Sequence, residues 1–210
     1  MTETADLVYA GTRRQLHAVA ERVIAGPQYR VHGTIRLAIG PNGFGGVRLP
    51  VSVEGTELVW PGGRARLHGP IVELARAAGV EAGPPIGVYD GAGTLTPDES
   101  VEPDAESVAV VHRSLATGAR ALAALAPGLQ PVLWPEHFDV AVTLEEVNYG
   151  VSPGDSHHER PYAYVGPWTP RRGEFWNAPF GAMMPLGPGD DAQRVTAFFD
   201  EGRRLAAEGG

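Results

Sequence analysis

Apolar residues recur in this chain with two different periods, and the order of those periods limits the fold more than any other feature. Helical spacing comes first. Leu16, Val19, Ala20, Val23 and Ile24 share one stripe, so residues 5–25 read as a helix stopped by Gly26-Pro27. The period then falls to two: Val31, Gly33, Ile35, Leu37 and Ile39 alternate with His32, Thr34 and Arg36, which predicts a half-buried strand over 31–39. Gly40–Gly46 reads as a loop. Val47, Leu49, Val51 and Val53 predict a second strand, placed at an edge because Pro50 cannot donate to a ladder. Thr56–Trp60 and Arg64–Leu67 flank Pro61-Gly62-Gly63 as a hairpin, and Pro70 opens a short helix that ends at Gly79. Helical spacing returns over 105–126 through Val108, Val111, Leu115, Leu122 and Leu125, with Asp104 and Glu106 at its positive end. Strand period resumes at Phe138–Leu144, Tyr162–Val165 and Phe180–Met184. Asp190 with Gln193 resembles a capping box for a last helix, which buries Val195, Phe198, Phe199 and Leu205.

Helices therefore bracket two strand groups, 31–67 and 138–184, instead of alternating with single strands. That order implies an α+β fold: mostly antiparallel sheet, in one piece or two, packed against three longer helices and one short helix. At 210 residues the chain suffices for a single domain over 1–210 that needs no disulfide or metal to fold. The Gly-, Pro- and acid-rich stretch 90–104 is the expected internal division, and 131–210 is the half that carries the motifs.

Two absences exclude whole chemistries. There is no cysteine, which removes disulfides, thiolate zinc sites, iron–sulfur clusters and cysteine nucleophiles. All 17 basic residues are arginine, so no lysine exists for a Schiff base, pyridoxal phosphate, a Walker A loop or a kinase strand. The net charge of −8 and the scatter of arginines, never denser than pairs, argue against nucleic acid as a partner. No apolar run approaches the ~20 residues of a membrane span, and Met1–Asp6 lacks the order of a signal peptide. The expectation is a soluble, cytoplasmic protein.

Residues 131–180 concentrate the chemistry, with three of the four tryptophans and three of the seven histidines. On the strand over 138–144 the two-residue period sends Phe138, Val140, Val142 and Leu144 to the core and His137, Asp139, Thr143 and Glu145 to the other face. Tyr162 and Tyr164 likewise share one face. The connection 149–161 is 13 residues long, a length at which loops are often functional. Turned back, it would bring Asp155 and His157 toward His137 and Asp139; alternatively Asp155 caps its own turn, Ser152-Pro-Gly-Asp155. Gly150-Val-Ser-Pro-Gly154 fits the Gly-x-Ser-x-Gly elbow in letters, but Pro153 has no N–H for an oxyanion hole, so Ser152 is rejected as a nucleophile. Asp90–Glu99 is similar to a calcium loop, with Leu95 where glycine belongs, and reads as a plain turn.

Three pieces of this segment stand out together: Trp134-Pro-Glu-His-Phe-Asp139, Gly150-Val-Ser-Pro-Gly-Asp155 and Pro161-Tyr-Ala-Tyr164. Their pattern, Trp-Pro-x-His-Phe-Asp, Ser-Pro-Gly-Asp and Pro-Tyr-x-Tyr, resembles an uncharacterised, mainly actinobacterial family of unknown function. The resemblance covers about 131–185 and implies no particular reaction.

The reading that results is a polar, aromatic-rimmed pocket for a small polar molecule, with Trp134, His157, Tyr162, Tyr164, Trp168 and Trp176 around it. As an enzyme it would use His137 as general acid or base, oriented by Asp139 or Asp155. Two alternatives stay open. One is a metal-dependent hydrolase whose divalent ion is held by His137, Asp139, Asp155 and His157, with His158 and Glu159 nearby. The other is a non-catalytic interaction protein, a homodimer for example, that uses the aromatic surface.

Overall fold

The computed structural model describes residues 3–89 and 95–208, and in it the first helical stripe overruns its stop signal. Helix α1 (Glu3–Val19) passes into a π-helical turn (Ala20–Ala25) and continues as α2 (Gly26–His32) through Gly26-Pro27. A proline inside a helix normally clashes with the carbonyl four residues back and forfeits a hydrogen bond. Here the wider turn takes the Gly26 N–H five residues back to the Glu21 carbonyl. The Arg22 carbonyl, which Pro27 has no N–H to serve, accepts the Gly83 N–H at 2.9 Å. Helix α2 ends at Gly33, whose left-handed φ of 67° closes a bond of its N–H to the Tyr29 carbonyl. Of the strand expected over 31–39, only the end is strand: β1 (Leu37–Gly40).

β1 pairs with β2 (Gly43–Gly46), β2 with β3 (Ser52–Glu54), β3 with β4 (Glu57–Trp60) and β4 with β5 (Gly63–Arg66), all antiparallel. The expected loop at Gly40–Gly46 is thus a hairpin. Glycine is needed there for close approach: a Cβ on Gly43 would lie 2.0 Å from the Val53 carbonyl oxygen. Residues 47–51 leave the ladder, and Pro50 falls in this excursion. β3 is flanked by β2 and β4, so it is no edge. Gln28 holds the excursion from α2, fully buried. Its Oε1 accepts the N–H groups of Arg48 (2.8 Å) and Leu49 (3.1 Å), and its Nε2 donates to the carbonyls of Thr34 (3.0 Å) and Arg36 (2.8 Å).

The remaining elements include three strands that the sequence reading lacked, at 100–101, 132–134 and 147–152, and the last of these takes the start of the expected 149–161 connection. β6 (Gly69–Pro70) pairs with β7 (Ser100–Val101), and α3 (Ile71–Ala77) lies between them, opening at Pro70 as read from the sequence. Then come α4 (Ala105–Leu125), β8 (Val132–Trp134), β9 (Asp139–Leu144), β10 (Val147–Ser152), β11 (Tyr162–Pro167), β12 (Ala182–Pro185) and α5 (Ala192–Glu208). The fold is α+β with antiparallel pairing. The chain forms two compact units, one of residues up to His112 with Leu133–Phe138, the other of Arg113–Val132 with Asp139 onward. Residues 90–94 of the expected internal division, and with them half of the calcium-like turn, lie outside the described residues.

In the second unit β9 to β12 form a ladder in sequence order. One face is the core: Val140, Val142, Tyr149, Val151, Ala163 and Val165, the valines each contributing roughly 1.5–3 kcal/mol by burial. Gly118 of α4 lets the helix settle onto Val140 and Val151, and Gly202 of α5 does the same on Val165. Among the described residues no helix is long and apolar enough to cross a membrane.

Candidate acid–phenol site

The opposite face of this ladder is where the polar residues meet. Register places Gly150 against Tyr164 and Ser152 against Tyr162, so both tyrosines stand on the side away from Val151, Ala163 and Val165. Tyr164 donates its hydroxyl to Asp139 Oδ2. Tyr162 donates to Asp155 Oδ2 at 2.5 Å. The two rings are 6.3 Å apart, so the two acid–phenol pairs are neighbours. Tyr164 is seated by a missing side chain, since a Cβ on Gly150 would lie 2.5 Å from its ring.

The connection after β10 folds over this face, as the sequence suggested it could. Asp155 also caps its own turn: Oδ1 accepts the N–H groups of His157 (2.7 Å) and His158 (3.0 Å), and its N–H bonds the His158 carbonyl at 2.9 Å. The imidazoles go elsewhere. His157 packs edge-on to Phe180 and His158 edge-on to Tyr162. Phe180 in turn stacks on Tyr162 and meets Tyr164 edge-on, and it is partly exposed with His157 at the rim. Ser152 Oγ accepts the Gly154 N–H at 3.0 Å, and no helix follows it, in keeping with its rejection as a nucleophile.

Burial raises both phenols far above their ordinary range. For Tyr164 the Asp139 charge and its hydrogen bond add to desolvation. For Tyr162 the Asp155 bond and charge do the same, and the Ser152 hydroxyl opposes weakly. Both are therefore neutral donors at any physiological pH, and neither is a base. A carboxylate has about four lone-pair sites, and Asp155 already accepts three hydrogen bonds, from His157, His158 and Tyr162.

The other expected site residues lie differently. His137 belongs to the first unit, with a side chain 70% exposed and Nε2 3.9 Å from Glu136 Oε2. The two-residue alternation that assigned it to the face of Asp139 fails because Phe138 adopts φ 54°, and only extended backbone alternates. Phe138 packs on His17 and Phe44 in the first unit. Trp134 lies under the Arg36 guanidinium, 5.8 Å from its ring. Trp168 is 63% exposed and reaches Asn148 Oδ1 at 3.4 Å, and Trp176 stands edge-on to Phe175. Among the described residues no three His, Asp or Glu side chains gather as a metal set.

Sequence reasoning missed one cluster entirely. Glu21, in the π-helical turn, has no exposed surface. Arg22 Nε lies 3.8 Å from it, and the Glu21 charge adds to burial in holding the Tyr89 phenol well above its ordinary range. Half-buried His17, one α-helical turn earlier, donates from Nε2 to the Pro135 carbonyl at 2.6 Å, and desolvation lowers its pKa against the pull of that bond and of Glu21. The signal was a charged pair, Glu21-Arg22, inside an apolar run. The extra residue of a π-helical turn rotates everything after it by about 100°, so no helical wheel points Glu21 inward.

No protein-family model, curated protein or solved structure matches the chain.

Proposed function

We propose that this protein binds a small polar molecule at the acid–phenol cluster of its second unit. The ligand would offer N–H or O–H donors to Asp139 and Asp155 and an apolar edge to Phe180, His157 and Tyr162. One observation carries this reading: two carboxylates from separate parts of the chain are each bonded by a tyrosine of β11, and the two tyrosine rings, 6.3 Å apart, lie beneath an aromatic rim. The motif residues Asp139, Ser152, Asp155, Tyr162 and Tyr164 are the members of that cluster, which supports the same reading. A nuclear magnetic resonance screen of small amines and sugars tests it. Saturable shifts at Tyr162, Tyr164 and Phe180, lost in Asp139→Asn and Asp155→Asn, are expected. A panel that moves none of these signals defeats the proposal.

The exposure of Trp168, 63%, favours a second reading, an interaction surface. Solution mass across a concentration series, with Trp168→Ala as comparison, separates it: a dimer lost in the variant supports it, and a monomer at all concentrations does not.

A further inference from the structure

We propose a second ligand site, for a small flat cation of the amidinium or guanidinium class, in the cleft over β1, β2 and β3. The cleft has a volume of about 280 Å³, and its lining, all of the first unit, includes Ala38, Gly40, Gly45, Ser52 and Glu54. At roughly 10–15 Å³ per water-sized position it has room for a ring and its substituent. The acid–phenol cluster belongs to the second unit, so the two sites share no residue.

Its floor is backbone. Register sets Gly45 between Ala38 and Ser52, and Gly40 and Glu54 follow on the same face, two residues further along their strands. That face is the one away from Leu37, Phe44 and Val53, which are buried in the core. Packing explains Gly45, where an added Cβ would lie 2.8 Å from Ser52 Cβ. Gly40 is different. Its φ is not left-handed, and a Cβ there would meet nothing nearer than the Gly43 carbonyl oxygen at 3.8 Å. The fold does not require glycine at 40, and glycine weakens a strand. What the bare backbone provides is close approach for a flat molecule.

The charge of the cleft has one sign. Glu54 is the one charged residue of its lining, and it is exposed, with no hydrogen bond or ion pair among the described residues. Register sets it directly opposite Glu57, and like charges so placed destabilise a sheet. Arg64 Nη1 donates to Glu57 Oε2 at 3.3 Å, so Glu57 has a counter-ion and, among the described residues, Glu54 has none. Arg36, just before β1, lies over the Trp134 ring and outside the lining. A cation on the glycine floor supplies what Glu54 lacks. An amidinium or guanidinium suits the place because it is planar and weakly hydrated and offers two parallel N–H groups to one carboxylate, whereas an ammonium is compact and strongly hydrated.

The experiment is a nuclear magnetic resonance titration of the full chain with benzamidine, against benzamide as its neutral match in shape and methylammonium as a compact cation. Saturable shifts of the Ala38, Gly40 and Gly45 amides are expected with benzamidine alone, and added salt should weaken them. Glu54→Gln should melt at or above the wild-type temperature, since it removes a like-charge pair and no native bond, and should bind benzamidine at least fivefold more weakly. Gly40→Val, whose side chain has open space in the free protein, should keep the wild-type fold and lose the shifts at Ala38 and Gly45. No benzamidine response at these amides overturns the proposal. So does an equal response to benzamide or methylammonium, or a response unchanged in either variant. A variant that melts well below wild type also overturns it, because the fold itself then holds that residue. Asp139→Asn and Asp155→Asn, which alter the acid–phenol cluster, should leave the benzamidine shifts at Ala38, Gly40 and Gly45 as in wild type.

Discussion

Gly150→Ala probes the candidate site through its tightest packing. The added methyl would sit 2.5 Å from the Tyr164 ring and hydroxyl, whereas carbon contacts prefer about 3.5 Å or more, so the ring must withdraw by roughly 1 Å. That movement breaks its bond to Asp139. Overpacking costs about 1–3 kcal/mol, and a hydrogen bond to a charged group adds about 1.5–3 kcal/mol. Alanine returns about 0.5–1 kcal/mol over glycine in a strand. The net expectation is a loss of about 2–5 kcal/mol, read as a lower urea midpoint, with about 2–4 °C in melting temperature for each kcal/mol. Tyr164→Phe alone should lose the hydrogen-bond share. The double variant should lose less than the sum, because one bond cannot be broken twice. A Gly150→Ala protein within 0.5 kcal/mol of wild type, or strictly additive losses, would refute the assigned packing.

Three further outcomes are expected. Gln28→Leu strands four backbone groups held by one amide, so it should cost about 2–5 kcal/mol and release the Arg48 and Leu49 amides to hydrogen exchange; unchanged protection there contradicts the assignment. His112, lowered by burial to about 4 from 6.5, contributes stability that is complete above about pH 6.5 and lost as pH falls through 4. The full loss is roughly 3 kcal/mol, so His112→Leu should flatten this acid limb of the urea midpoints relative to wild type. Tyr149, raised from 10.0 to about 12, contributes stability present below pH 10 and lost as pH rises through 12, a limb that Tyr149→Phe should remove.

What could be read from the residues followed from period and local chemistry. The stripe of α4, the hairpin of β4 and β5, and the Pro70 start of α3 are local signals that the structure has; of the stripe expected on α5, Val195 and Phe199 are buried and Phe198 and Leu205 half-buried. The glycines of β2 misled because their reason, a carbonyl from β3 against the missing Cβ, is contributed by another strand. Gly26-Pro27 misled because the carbonyl that proline leaves unserved is satisfied by Gly83, more than fifty residues on. At the site, Tyr162 and Tyr164 sharing a face was legible from alternation, and Asp155 proved to be both turn cap and tyrosine partner. The grouping of His137 with Asp139 was not legible, because one left-handed residue between them cancels the parity on which it rested.

The central claim is that Asp139 and Asp155, with their tyrosines, form one binding site. Protein labelled with carbon-13 at the tyrosine ring carbon bearing the hydroxyl reports on it most directly, during titration with the amine and sugar panel. The account predicts that Tyr162 and Tyr164 shift together and saturably with at least one compound, while Tyr9 and Tyr29 stay still. Compounds that bind yet leave both signals in place, or that move Tyr9 and Tyr29 equally, would contradict it.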